Sequence, residues 1–287
     1  MPNYKIITDS GSDLPGDMLQ SLNVDKVSLS VLYRGKNRTD SVDEGIKELY
    51  DGLRAGEVAT TSAVNPEGWA SVMEPVLQAG QDILVLAFSS GLSTTYQSAA
   101  IAANELMEKY PDRKICVVDT LCASLGEGLL VWYACRKRDE GMELEALRDW
   151  VEENKLHLCH QFTVSDLHFL KRGGRISATT AVVGSMLQIK PVLHVDDEGH
   201  LINIGKARGR SASLKALVDK MEKTVTEEGK KTVFISHGDC LKDAELVADM
   251  VRERFGTEDI HINYVGPVIG AHSGPGTLAL FYLGTVR

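Results

Sequence analysis

Short apolar runs alternate with helical patterns through the first half of the chain, the arrangement expected of an α/β sheet with crossover helices. Lys5 to Thr8 reads as a buried strand, and Val27, Leu29 and Val31 alternate with Ser28 and Ser30 in a second. Ile46, Leu49, Tyr50 and Leu53 recur at helical spacing. Asn65 followed by Pro66 supplies an N-cap and a first helical position, so a helix is predicted directly after Thr60-Thr61-Ser62. Ile83 to Phe88 is a continuous apolar strand. From Thr95 onward Tyr96, Ala99, Ala100, Ala103, Leu106 and Met107 share one helical face. Ile115 to Val118 is a further strand, handing over to an apolar helix that runs to about Arg138. Beyond residue 155 strand-like segments dominate, near 158–164, 189–195, 201–207, 232–237, 260–265 and 277–285. An Asp196-Asp197-Glu198-Gly199 turn implies an antiparallel hairpin. The expected fold class is α/β in two domains. A parallel α/β sheet domain covers 1–157 and an α+β domain covers 158–287.

A length of 287 residues accommodates two domains of ordinary size, and 43% hydrophobic with 25% charged residues is the composition of a globular protein. The formal net charge of −9 argues against a protein whose main task is neutralising nucleic-acid phosphates. No apolar run approaches the roughly 18–20 residues needed to span a bilayer, and the first residues lack a leader pattern, so a cytoplasmic protein is expected. The five cysteines have neither C-x-x-C nor zinc spacing and read as small buried apolar residues. His157 and His160, the closest histidine pair, fall in a strand-like stretch with no metal motif.

Three polar clusters stand at strand ends and helix starts, where open α/β sheets bind ligands: Thr8-Asp9-Ser10, Thr60-Thr61-Ser62 and Ser89-Ser90-Gly91-Leu92-Ser93-Thr94-Thr95. Capping accounts for any one of them; three together, with more hydroxyls than caps require, point to a site for a carboxylate or phosphate. The competing use is nucleophilic catalysis by Ser93 and His272, with Asp9 or Asp119 completing a triad, in a hydrolase or transferase acting on a small carboxylate or phosphate. Against it, Thr95 stands where the G-x-S-x-G elbow needs glycine. Gly270-Ala271-His272-Ser273-Gly274-Pro275-Gly276 precedes a strand and has two readings of equal weight, a simple tight turn held by Gly274-Pro275-Gly276 or a constrained loop from which His272 reaches a neighbouring anion. Lys171-Arg172-Gly173-Gly174-Arg175, with Lys206, Arg208 and Arg210, forms a basic surface suited to docking an acidic protein or a phosphorylated group.

Taken in order and spacing, these segments resemble the DegV family nearly end to end. The resemblance is carried by Ile7-Thr8-Asp9-Ser10, Thr60-Thr61-Ser62 with Pro66, Ser89-Ser90-Gly91-Leu92-Ser93 with Thr95-Tyr96, Leu170-Lys171-Arg172-Gly173-Gly174-Arg175-Ile176, Lys190-Pro191 and the Gly270–Gly276 segment. It implies a two-domain fold with a buried acyl tunnel and a long-chain fatty acid such as palmitate as ligand, with no cofactor, metal or catalytic group. By the same resemblance Thr61 and Ser93 hold the carboxylate, Ser62 and His272 lie close by, and Thr94 and Thr95 support them. Arg172, Arg175 and Arg208 face a partner, the ATP-binding subunit of a fatty acid kinase that makes the acyl phosphate for phospholipid metabolism. Two positions depart from the family's usual pattern: Thr94, where glycine is common, and Thr120, where serine is.

Overall fold

The computed structural model describes residues 3–177 and 188–287. Along the chain the elements are β1 (Tyr4–Asp9), α1 (Gly16–Ser21), β2 (Val24–Val27), β3 (Ser30–Tyr33), β4 (Lys36–Thr39), α2 (Ile46–Arg54), β5 (Ala59–Ser62), α3 (Pro66–Gln78), β6 (Asp82–Ala87), α4 (Thr95–Lys109), β7 (Ile115–Asp119), α5 (Leu125–Asp139) and α6 (Leu144–Asn154). There follow β8 (Leu158–Thr163), α7 (His168–Arg172), β9 (Ile189–Val195), β10 (Leu201–Arg208), α8 (Arg210–Thr224), β11 (Thr232–His237), α9 (Leu241–Phe255), β12 (Asp259–Tyr264), α10 (Pro267–Ser273) and β13 (Leu278–Leu283).

Three sheets result. β2-β1-β6-β7 is parallel throughout, and its two central strands are apolar on both faces because helices cover both. β10-β9-β8-β13-β11-β12 is antiparallel except for the β11–β12 pair, and all six strands fall where the hydrophobic pattern puts them. The third, β4-β3-β5, is a small antiparallel sheet that the pattern did not predict. The alternation at 27–31 reads as one strand but is cut in two. Ser10 Oγ accepts a hydrogen bond from Leu29 N at 2.9 Å and Leu29 O accepts from Asp40 N at 3.0 Å, which turns the chain out of the parallel sheet after Val27 and into the small one at Ser30.

The parallel and six-stranded sheets are packed together through α5. Leu125, Leu129, Leu130, Val131, Ala134 and Cys135 are all buried, so the helix has apolar contacts nearly all round. Its glycines permit the approach: a Cβ on Gly126 would lie 2.2 Å from His160 Nε2, and one on Gly128 2.7 Å from the Ser12 carbonyl. A single apolar cluster consequently runs from Ile6, Leu84 and Leu86 through α5 to Phe162, Phe234 and Phe281. Among the described residues no helix is long and apolar enough to cross a membrane.

Thr8-Asp9-Ser10 turns out to be part of this scaffold. Thr8 donates to Leu86 O and to Glu127 Oε1, Asp9 accepts from Gly11 N and Phe88 N, both at 2.8 Å, and Ser10 holds Leu29 as above. Burial pushes the Asp9 carboxyl up to about 7, against the pull of those two N–H groups and with a push from Asp40. Between the unfolded value near 4 and 7 the folded chain therefore holds a proton that the unfolded chain releases. Its contribution to stability is complete below about pH 4 and is lost as pH rises through 7. Asp9→Ala should cost about 1–3 kcal/mol by leaving Gly11 and Phe88 N–H unpaired, and should flatten the loss of stability between pH 4 and 7. Urea unfolding of both proteins across that range measures the difference; parallel curves would contradict it.

Candidate functional site

A cavity of about 430 Å³ lies where the three sheets and α10 meet, inside the ~300–1,000 Å³ range of small-molecule sites. Most of its wall is apolar and buried: Leu29, Phe88, Leu92, Phe162, Leu170, Val195, Val268, Ala279 and Phe281. Polar side chains gather at its partly exposed end, where Thr61, Ser93, Thr94, Arg175 and His272 all line it.

Each of these is placed by a local feature of the chain. Thr61 stands on β5 opposite Val31 and faces inward, rather than at a helix start as the pattern suggested; the first turn of α3 is capped separately by Asn65, whose Oδ1 accepts from Gly68 N at 2.9 Å. Strand alternation turns Ser62 to the other, solvent-facing side with Thr60 and Leu32, so Ser62 does not reach the cavity. Ser93 precedes α4, and its Oγ accepts from Thr95 N at 3.2 Å and lies 2.8 Å from Thr95 Oγ1. Thr95 is fully buried and acts behind Ser93 instead of lining the site. Thr94 has φ −82°, a conformation any residue adopts, so the exposed threonine fits its backbone without strain.

His272 lies in a helix. Pro267 at the first position of α10 starts a turn that the glycine-rich reading missed, and the chain leaves it through Gly274, with φ +80°, and Pro275. Three glycines let this helix seat: a Cβ on Gly270 would lie 2.6 Å from Tyr50 Oη, one on Gly274 2.5 Å from the Phe169 ring, and one on Gly173 2.3 Å from His272 Nδ1. Gly173 of the basic motif is thus a bed for the imidazole. His272 Nε2 pairs with Thr61 Oγ1 at 2.8 Å across 211 residues of sequence.

The basic residues separate. Arg172 is exposed, its guanidinium 4.9 Å over the Phe169 ring, and Arg208 is exposed at the end of β10. Arg175, expected on the surface with them, turns inward: it is half-buried, donates from Nε to Leu92 O at 3.2 Å and lines the cavity. Burial, then the charges of Arg175 and Arg172, holds His272 down at about 4, so the imidazole is neutral at neutral pH. No carboxylate orients it among the described residues: Asp9 is bound to backbone N–H groups, and Asp119 Oδ1 accepts from Ser90 N and Leu121 N. With Nε2 on Thr61, the Ser93–His272–Asp arrangement that the nucleophile reading required is not assembled.

Motif reading did not pick out Ser124 and Ser236, and gave no binding role to His160 or to the Ser273 of the glycine-rich segment; all four line the cavity. The only signal of Ser124 and Ser236 in the sequence is a polar residue inside an apolar run, as in Thr-Val-Phe-Ile-Ser236-His. His160 is saturated, with Nδ1 2.9 Å from Leu158 O and Nε2 accepting from Ala123 N at 3.3 Å. Among the described residues no group of three or more His, Cys, Asp or Glu is placed to hold a metal ion.

A mixed parallel and antiparallel α/β scaffold around an apolar cavity, with hydroxyls, a neutral imidazole and an arginine at one end, defines a class of small-molecule-binding proteins. The chain belongs to the DegV family, whose family model ("Uncharacterised protein, DegV family") matches residues 3–285. It is 46% identical over 289 aligned residues to the DegV domain-containing protein CPE0026 of Clostridium perfringens, covering 100% of this chain and 99% of that one. Among solved structures it is similar to a DegV family protein from Thermus thermophilus described as fatty-acid binding, at 33% identity and TM-score 0.87, covering 98% of this chain and 99% of that one. It also resembles a DegV lipid-binding protein from Thermotoga maritima, at 29% identity and TM-score 0.87 over 100% of both chains. A third neighbour, a stearic-acid-binding protein from Eubacterium ventriosum, has 25% identity and TM-score 0.88 over 98% of each chain.

The imidazole of His272 should titrate near pH 4, and Arg175→Ala should move its midpoint upward by removing a nearby positive charge. Proton-detected NMR titration of both proteins reads this directly. A midpoint unchanged by the substitution would show that Arg175 does not act on the imidazole.

Proposed function

We propose that the protein binds one long-chain fatty acid in this cavity and presents its carboxylate to a fatty acid kinase, without supplying a catalytic group. The observation that carries the reading is the pairing of an apolar cavity with a Thr61–His272–Ser93 cluster at its partly exposed end. The neighbours described as binding fatty acids or lipid support it. The energetics agree: a sixteen-carbon acid carries about 14 CH₂ groups, and at ~0.8 kcal/mol each their burial yields a gross gain of about 11 kcal/mol. Lost motion and chain ordering cancel several of these. The carboxylate then requires only a few charge-assisted hydrogen bonds, each worth about 1.5–3 kcal/mol, to offset its desolvation.

The Thr61 and Ser93 hydroxyls act as donors to the carboxylate, with His272 Nε2–H donating to Thr61 Oγ1 behind one and Thr95 fixing the rotamer of the other. Arg175, half-buried beside them, adds a positive charge that favours the ionised acid. The set is otherwise neutral, so the head group is oriented without being locked in an ion pair, as transfer of a phosphoryl group to it demands. Arg172, exposed and close enough to His272 to lower its pKa, stands where the head group emerges, and Arg208 extends the basic surface for the kinase's ATP-binding subunit.

Ser93→Ala and Thr61→Val should each weaken retention of a C16–C18 acid about 10- to 100-fold, the loss of one charge-assisted hydrogen bond. Native mass spectrometry of the purified proteins, with solvent extraction of the released lipid, measures it. A wild-type protein that is empty, or that holds a small polar metabolite, would overturn the reading. Arg172→Glu should leave ligand content intact and reduce phosphorylation of the bound acid by the kinase. Normal phosphorylation would remove Arg172 from the docking surface.

A further inference from the structure

The cavity carries a second polar pair that the carboxylate cluster does not use. Ser124, at the start of α5, and Ser236, within β11, both line it, are buried and hold their Oγ atoms 3.0 Å apart. Behind them Ser124 is tied by a short hydrogen bond to Asp13 Oδ2.

Through Asp13 this pair is linked to the opposite end of α10 from His272. Asp13 abuts the first turn of α10, where a Cβ on Gly266 would lie 2.3 Å from Asp13 Oδ1, whereas His272 stands in the last turn of the same helix. Seven residues at ~1.5 Å each separate the two ends by about 10 Å. An acyl chain whose carboxylate sits at Thr61 and His272 therefore passes Ser236 partway along its length.

Hydrogen-bond accounting leaves one group of the pair unsatisfied. If Ser124 gives its proton to Asp13 and Ser236 gives its own to Ser124, the lone pairs of Ser236 Oγ, in a residue that lines the cavity, have no donor among the described residues. The chain also runs in reverse. Burial and the charge of Asp40 raise the Asp13 pKa well above the usual carboxylate value, which favours its protonated form. That proton can pass its bond to Ser124, Ser124 to Ser236, and the Ser236 O–H then faces the cavity. Among the apolar lining residues Phe88, Phe162, Val265 and Phe281, such a hydroxyl is a penalty against a plain hydrocarbon chain. A ligand hydroxyl, donor and acceptor at once, satisfies either direction.

We propose that Ser236 and Ser124 form a subsite for a hydroxyl group carried near the middle of the acyl chain, so that hydroxylated long-chain fatty acids belong to the ligand class. The proposal rests on the fatty-acid reading above, and stearic acid separates the two. Binding of stearic acid and of a mid-chain hydroxystearic acid is measured by titration calorimetry on the delipidated wild type and on Ser236→Ala. The substitution should weaken hydroxystearate about tenfold, the loss of one buried hydrogen bond, and leave stearate equal or tighter, which also certifies the variant's fold. If the wild type binds stearate but not hydroxystearate, or if Ser236→Ala changes both ligands by the same factor or neither, the subsite is overturned and the fatty-acid reading stands. If neither acid binds the wild type, both fall together.

Discussion

The close burial of α5 between two sheets is the constraint on which the other features rest. Over its first three turns α5 is buried nearly all round and needs partners on every side, and Gly126 and Gly128 allow β8 and the loop after β1 to reach its backbone. With both sheets pinned to α5, a space is left beside the helix's start, at Ala123 and Ser124. The small β3-β4-β5 sheet and α10 close that space into a cavity. The wall residues are apolar because they would otherwise have been core; the cavity is a part of the core left unfilled by the protein's own side chains.

Polar groups around this space divide into two kinds. Asp9, Asp13, Asp40 and Glu127 are buried, with pKa values raised by desolvation, and hold backbone and hydroxyl donors of the scaffold in place. Desolvation works against a negative charge on each of them, and each has an oxygen spent on those scaffold donors. The other kind, Thr61, Ser93 and His272, is partly exposed and uncharged, with Arg175 and Arg172 nearby and, among the described residues, no acid as a hydrogen-bond partner. An anion approaching the cavity thus meets donors and positive charge at one end, and apolar wall beyond.

Much of this was legible from residue patterns. The strands of the six-stranded sheet follow directly from apolar runs bounded by turn residues, and the Asn65-Pro66 and Asp196–Gly199 signals locate a helix start and a hairpin. Thr61, Ser93 and His272 stand out as excess hydroxyls and a constrained histidine, and the structure does bring them to one cavity. Where the reading went astray, a neighbour distant in sequence decides the outcome. The apparent strand at 27–31 is broken by Ser10 and Asp40, and the glycine-rich segment is helical because Tyr50, Phe169 and Gly173 receive it.

By itself the sequence determined the alternation of strands and helices, the mixed α/β class and the family, since these depend on periodicity and local turn chemistry within a few residues. Tertiary structure alone decided which hydroxyls face inward. Ser62 and Thr61 are adjacent in sequence and opposite in orientation once β5 pairs with β3, and Arg175 leaves the surface that Arg172 keeps because Leu92 O offers its guanidinium a partner. The physical reason is that a side chain's direction and burial are set by what its element packs against, which lies tens to hundreds of residues away. The Thr61–His272 bond spans 211 positions, and no local pattern encodes it.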